Sequence, residues 1–400
     1  MKLKTLAIVL GIILLAFAMV GCGTDSDDGA NVTTGDDSSD VVTYTIGVAA
    51  PLTQGAVAQG MDIKRGAQLA IETMNASDAA KDAGVQFKML EGDDMGDPKT
   101  AVTVANTLVS DRNLIGVVGH YNSGCSIPAS QVYNDAQVVM ISPGSTNPEL
   151  TQLGRPYVFR TCATDDLQGP AGAQFALDLG YKTAVVVDDK TPYGEGLAAF
   201  FAEAFEDGGG EILSSEKTED KDTDFNSLAT KIKSLDPDVV FYGGMYSAGA
   251  LFSKQLANAD VDAPLMGGDG IQEADFINVG GSGVEGDLAT NVGAPIEGLP
   301  EGQAFMDAYV AAFGETPGNF SAYAYDAAFA IMNAALKADD VANINTPAGR
   351  EELVGNVANI SFEGVTGEIS FDEFGDTNNK VISLYRVDDA QWVFVDPDEL

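Results

Sequence analysis

From Thr43 onward the chain alternates short, β-branched apolar runs with longer stretches whose apolar residues recur at helical spacing. Residues 44–50, 85–91, 115–119, 138–142 and 157–161 predict strands, and residues 60–75, 97–111 and 126–136 predict helices between them. Strands separated by helices predict a parallel sheet. A polar stretch, residues 163–169, interrupts the pattern, which then restarts. Its second part predicts strands at 183–187, 239–242 and 264–266, with helices at 194–206, 225–234 and 248–259. Residues 300–356 return to helical spacing, and the tail reads as a strand at 368–372 followed by a hairpin-like pair at 381–387 and 392–395. The pattern as a whole predicts an α/β protein of two lobes.

The first forty residues have a different texture. Lys2 and Lys4 precede an apolar run at 6–20, and Gly21 stands before Cys22. That run has 15 residues, short of the roughly 20 that span a bilayer as a helix, so a cleaved secretory signal fits it better than a transmembrane segment. The string Met19-Val20-Gly21-Cys22 resembles a bacterial lipoprotein processing site, which implies that Cys22 becomes the lipid-bearing first residue. Residues 23–40 hold six aspartates among Ser, Thr and Gly; so little apolar surface predicts a flexible tether, residues 22–40, behind a signal at 1–21.

Charge removes several classes of partner. With 21 basic against 60 acidic residues, the chain carries −39. Loss of residues 1–21 removes two lysines and no acid, so 19 minus 60 leaves −41. A nucleic-acid backbone or an anionic membrane surface is repelled by such a field. His120 is the only histidine and Cys22, Cys125 and Cys162 the only thiols, so most zinc and iron–sulfur ligand sets cannot form. No cofactor and no metal are expected.

In open parallel sheets, ligands bind beyond the carboxyl ends of the strands. There the first lobe offers His120-Tyr121-Asn122-Ser123-Gly124-Cys125-Ser126 and then Ser142-Pro143-Gly144-Ser145-Thr146-Asn147-Pro148. Ser123 and Thr146 either hold a carboxylate without a basic side chain or cap helices. The second lobe offers Asp189-Lys190-Thr191-Pro192-Tyr193, Gly243-Gly244-Met245-Tyr246 and Gly267-Gly268-Asp269-Gly270. Asp269 is either part of a turn or the partner of an ammonium. Taken together, the two sets describe a zwitterion clamped between lobes. Cys125 and Cys162 lie near strand ends, and export permits a disulfide; two free buried thiols are the alternative.

Several strings then stand in order: Pro51-Leu52-Thr53, Gly92-Asp93-Asp94 with Asp97-Pro98, Val117-Val118-Gly119-His120, Ile127-Pro128-Ala129-Ser130, Thr146-Asn147-Pro148-Glu149-Leu150-Thr151, Phe159-Arg160-Thr161, and Asp189-Lys190 with Tyr193-Gly194-Glu195-Gly196. Over residues 41–395 the chain resembles the Leu/Ile/Val-binding protein family, receptors of ATP-driven branched-chain amino-acid importers. The resemblance implies the type I periplasmic-binding-protein fold: two Rossmann-like lobes with parallel central sheets joined by a multi-strand hinge. Residues 41–164 and 294–382 would form lobe 1, and residues 165–293 and 383–400 lobe 2. It implies a ligand carboxylate on Ser123 and Thr146, assisted by backbone groups of Gly144 and Thr146, with Ser145 among the ligand-binding residues. The ammonium would meet Asp269, with Tyr193 as cover and Tyr121, Asn122, Met245 and Phe320 around the side chain. Met245 and Gly60 depart from the family pattern, which implies a roomier pocket. The implied partners are a small amino acid and ABC transporter permease subunits, for a monomer in the bacterial periplasm or on the outer face of the membrane through a lipid anchor only.

Catalysis is not expected. Gly281-Ser282-Gly283-Val284-Glu285-Gly286 matches G-x-G-x-x-G, but precedes the strand near Leu288 instead of following one. His120 ends a buried strand without a nucleophile beside it and reads as structural. The remaining rival is a sensor of the same fold for amides, urea or aromatic acids, which lack the paired charges that Ser123, Thr146 and Asp269 are suited to hold.

Overall fold

The computed structural model describes residues 41–396. The expected signal, tether and lipid-bearing Cys22 lie outside the described residues. Strands β1 (Val42–Ala50), β2 (Val85–Asp93), β3 (Leu114–Gly119), β4 (Val139–Ser142) and β5 (Val158–Arg160) form an all-parallel sheet in the order β2-β1-β3-β4-β5. Helices α1 (Val57–Ala76), α2 (Asp78–Asp82), α3 (Pro98–Leu108), α4 (Ser123–Asp135) and α5 (Glu149–Gln152) connect them. Apart from the edge strand β2, which alternates buried and exposed residues, the strands are mostly apolar runs because both faces are covered. Ile46, Val48 and Ala50 enter the core on the α1 side, whereas Ala49, Val117 and Met140 enter the core of α3 and α4.

After β5 the chain crosses to a second sheet through α6 (Asp165–Asp178). Strands β6 (Thr183–Asp188), β7 (Glu211–Lys217), β8 (Val239–Gly243), β9 (Leu265–Gly267) and β10 (Leu288–Asn291) alternate with helices α7 (Pro192–Asp207), α8 (Asn226–Leu235), α9 (Tyr246–Asn258) and α10 (Ala274–Gly280). Two findings differ from the sequence reading. Residues 165–169 are already helical, although their polar character hid it, and β7 was not foreseen because it is a polar, half-exposed edge strand. The G-x-G-x-x-G string is a loop with a single 3-10 turn at Gly281–Val284.

The chain then returns to the first sheet. Helices α11 (Gly302–Phe313), α12 (Ser321–Leu336) and α13 (Pro347–Ala358) precede a small hairpin of β11 (Phe362–Gly364) and β12 (Gly367–Ile369). Helix α12 lies tightly on α1: a Cβ at Gly66 would stand 2.0 Å from the Ser321 carbonyl oxygen. Asp62 of α1 accepts the Phe320 and Ser321 N–H groups at 2.8 and 2.7 Å, which holds the start of α12. Finally β13 (Ser383–Asp388) and β14 (Gln391–Val395) join the second sheet antiparallel, giving the order β14-β13-β10-β9-β8-β6-β7. That sheet is therefore mixed, not purely parallel. The chain passes between the sheets three times, after β5, after β10 and before β13.

Candidate functional site

The loops that follow β3 and β4 in one sheet and β6, β8 and β9 in the other converge on a small cavity. It is lined by Tyr121, Asn122, Ser123, Gly144, Tyr193, Met245 and Asp269. Seven of the ten ligand-binding residues expected from sequence thus share one enclosure. A larger surface groove between α1, α11, α12 and β11 has no such convergence. Its buried acid, Asp326, is already satisfied by the Val365 and Thr366 N–H groups and the Thr366 hydroxyl.

On the first-sheet side no basic side chain lines the cavity. Ser123 opens α4, so its hydroxyl sits where the helix presents free N–H groups and partial positive charge. Gly144 is required sterically: a Cβ there would stand 2.6 Å from the Tyr121 ring and 3.2 Å from Phe320. The loop after β4 is held from behind by Arg160, fully buried, which donates to the Ser145 and Asn147 carbonyls at 2.7 and 2.9 Å and to the Thr151 hydroxyl at 2.7 Å, and pairs with Asp376. The Gly144 and Ser145 N–H groups donate to the Ser142 hydroxyl at 3.4 and 2.9 Å and the Asn147 N–H to the Ser123 hydroxyl at 3.3 Å, so these three are engaged within the wall.

Ser145 does not line the cavity. Its hydroxyl donates to the Tyr121 carbonyl at 2.8 Å and bonds the Ser126 hydroxyl, so its side chain belongs to the loop framework. Thr146 is fully buried beside the cavity instead of lining it, and its hydroxyl completes no hydrogen bond. Phe320 lies behind Tyr121, edge to face with centroids 4.9 Å apart. Gly60 does not enlarge the pocket. A Cβ there would stand 2.0 Å from the Pro51 carbonyl oxygen, so glycine answers a close backbone approach.

On the second-sheet side the chemistry is acidic. Asp269 is 1% exposed and accepts the Tyr193 hydroxyl at 3.0 Å, while that hydroxyl accepts the Gly270 N–H at 3.1 Å. Burial pushes its carboxyl up to about 6, against the opposing influence of Gln168 and Tyr193. Asp165, at the start of α6, is also fully buried, and neither of its carboxylate oxygens has a hydrogen-bond partner. Burial, and next the charge of Asp269, raises it well above the usual carboxylate range. Thr146 is near enough to ease that shift, although its hydroxyl lacks hydrogen-bond geometry. Gln168, one helical turn on from Asp165, is likewise buried; its amide lies near enough to Asp269 to oppose the rise of that carboxyl, although it falls short of hydrogen-bond geometry. Sequence reasoning missed Asp165 and Gln168 because polar residues at the start of a helix look like surface residues.

Neither remaining candidate chemistry survives as a site. His120 is buried between Asp94, 2.6 Å from Nδ1, and the Tyr133 hydroxyl, 3.0 Å from Nε2. Cys125 and Cys162 are not bridged. Cys125 packs in the core under α3 and α4, whereas Cys162 packs in the core on the other face of the sheet, so the sheet separates them. Burial raises both thiols above their ordinary range. Among the described residues no His, Cys, Asp and Glu cluster has the geometry to hold a metal.

A family model described as periplasmic binding protein matches residues 43–391. The chain belongs to the periplasmic binding protein family. It is similar to the leucine-, isoleucine-, valine-, threonine- and alanine-binding protein of Pseudomonas aeruginosa, 36% identical over 86% of this chain and 90% of that one. Its fold is that of a leucine binding protein from Thermotoga maritima, with a TM-score of 0.80 at 28% identity over 89% of this chain and all of the other. The branched-chain amino acid transporter substrate binding protein of Streptococcus pneumoniae, solved with isoleucine, gives 0.77 at 28% over 88% of this chain and 100% of that one. These similarities show the type I periplasmic-binding-protein fold. In this periplasmic binding protein the cavity therefore sits between two lobes, at the loops that the fold makes converge, and no described helix is long and apolar enough to cross a membrane.

Proposed function

We propose that this chain is an extracytoplasmic receptor that closes around one small amino acid, branched-chain foremost, and hands it to an ATP-driven importer. The observation that carries the reading is the polarity of the cavity. Neutral side chains, Ser123 among them, stand on one wall, while Asp269, buried and accepting the Tyr193 hydroxyl, stands on the other with no basic side chain in the lining. A carboxylate buried this deeply is costly to ionise alone, so an ammonium would stabilise its charged form. In this reading Ser123 and the backbone around Gly144 and Thr146 hold the carboxylate, Asp269 holds the ammonium, and Tyr193 covers the head group. Tyr121, Asn122 and Met245, backed by Phe320, border the side chain. The lobes comprise residues 41–164 with 294–382 and residues 165–293 with 383–400, and they move about the three crossings. Ligand binding is then realised fully only in the closed form, which permease subunits would distinguish from the open one. Cys22 would carry the lipid that tethers a monomeric receptor at the membrane face, and no step needs catalysis.

A melting-temperature screen of residues 41–400 against all common amino acids, simple amides, urea and benzoate tests the reading. Leucine, isoleucine and valine are expected to raise the melting temperature most; at a hundredfold excess over Kd, binding adds about 2.7 kcal/mol. Stabilisation by amides or benzoate alone would replace this reading with a sensor of another ligand class.

A further inference from the structure

Two hydrogen bonds cross the cleft without touching the cavity. The Asn147 side-chain amide donates to the Pro192 carbonyl at 2.7 Å, and the Asn319 amide donates to the Gln272 carbonyl. Each donor sits on the first-sheet lobe beside a site residue, Thr146 or Phe320. Each acceptor sits on the other lobe, next to Tyr193 or three residues from Asp269. Asn147 is also tied to the carboxylate wall, because its N–H donates to the Ser123 hydroxyl at 3.3 Å, and its Oδ1 accepts the Glu149 N–H at 2.9 Å. The opposing surface is cut to fit: a Cβ at Gly196 would stand 3.1 Å from Asn147 Nδ2. We propose that Asn147 and Asn319 are closure latches, positioning residues that fix how far the closed form is populated before ligand arrives. The proposal rests on the two-lobed clamp and not on which amino acid fills it.

The consequence is quantitative. Apparent affinity is the intrinsic affinity scaled by the competent fraction, so a latch that contacts no ligand changes affinity for every ligand by one common factor. Asn147→Asp isolates the effect. The carboxylate still accepts the Glu149 N–H, so the local turn is kept, but the donor facing the Pro192 carbonyl is replaced by an acceptor. Gly196→Ala gives an independent check, since alanine inside α7 favours the helix while crowding the latch.

The test is small-angle scattering of the ligand-free full chain, joined to calorimetric titration with leucine and with alanine. In Asn147→Asp, Asn319→Asp and Gly196→Ala the ligand-free radius of gyration should rise, and the ligand-saturated radius should return to the wild-type value. Affinity for both amino acids should fall by the same factor, about fivefold for each lost bond, and Gly196→Ala should melt no lower than wild type. An unchanged ligand-free radius, or losses that differ between leucine and alanine, overturns the latch. Scattering without ligand needs no amino acid, so failure of the ligand assignment would show separately as absence of titration heat while the radii still shift.

Discussion

The two walls of the cleft solve opposite problems. The first-sheet wall is braced from within: Arg160 gathers the carbonyls of the β4 loop, Ser145 and Ser126 join the loops to each other, and the side chains it turns to the cavity carry no charge. The second wall is acidic: Asp269 is buried with no basic side chain in the cavity lining, and its charge helps raise the nearby Asp165, whose carboxylate has no hydrogen-bond partner and is only partly offset by Arg160. A wall of the first kind orients a ligand, whereas a wall of the second kind is stabilised by it. In the proposed function this difference would give discrimination for an ammonium to the Asp269 side of the cleft.

Substitutions that remove one wall at a time should separate these roles. The largest effect is expected for Asp269→Asn, which keeps an acceptor for the Tyr193 hydroxyl but no charge. Calorimetric affinity for leucine should fall about a hundredfold or more, as for loss of one member of a buried charge pair, while the ligand-free protein melts higher at pH 7. If affinity holds, the ammonium lies elsewhere. Acidity should act on the same wall. Because burial raises Asp269 to about 6, its contribution to ligand-free stability is full below the unfolded carboxylate range and is lost as pH rises through 6. The ligand needs the ionised form, so affinity runs the other way, falling about tenfold from pH 7 to pH 5. A flat profile in titrations over that window would remove Asp269 from the binding equilibrium. On the first wall, Ser123→Ala should cost about tenfold in affinity with little change in pH dependence and in ligand-free melting; a steeper loss of melting temperature would make the hydroxyl a framework group like Ser145.

The alternation that predicts strands near 44–50, 115–119 and 239–242 is strong because those strands are covered on both faces and admit only apolar residues. β7 escapes the same reasoning, since an edge strand bearing Glu211, Ser214 and Glu216 has no such constraint. Likewise α6 presents small residues, Gly169, Gly172, Ala173 and Ala176, to its neighbours and so lacks the bulky stripe that marks a buried helix face. At the site, loop position was legible: Ser123, Gly144, Tyr193, Met245 and Asp269 follow strand ends and meet there. What a linear reading cannot tell is which hydroxyls face inward. Ser145 and Thr146 are neighbours in one loop, yet one is consumed by the framework and the other is left unpartnered beside Asp165. The two cysteines teach the same point, for nearness to strand ends does not say on which face of the sheet a side chain lies.

The return of α12 to lie on α1, across some 250 residues of intervening chain, bears on how the molecule is made. Strands β1 to β5 and α1 emerge first during synthesis, but the part of the α1 face over β3 and β4 is covered only when the helix at Ser321–Leu336 has also emerged. Ile115 and Ile141 therefore lack that cover until nearly the whole chain is available. A chain whose core is completed so late exposes apolar surface for longer during synthesis, which favours aggregation over folding until its last helices arrive.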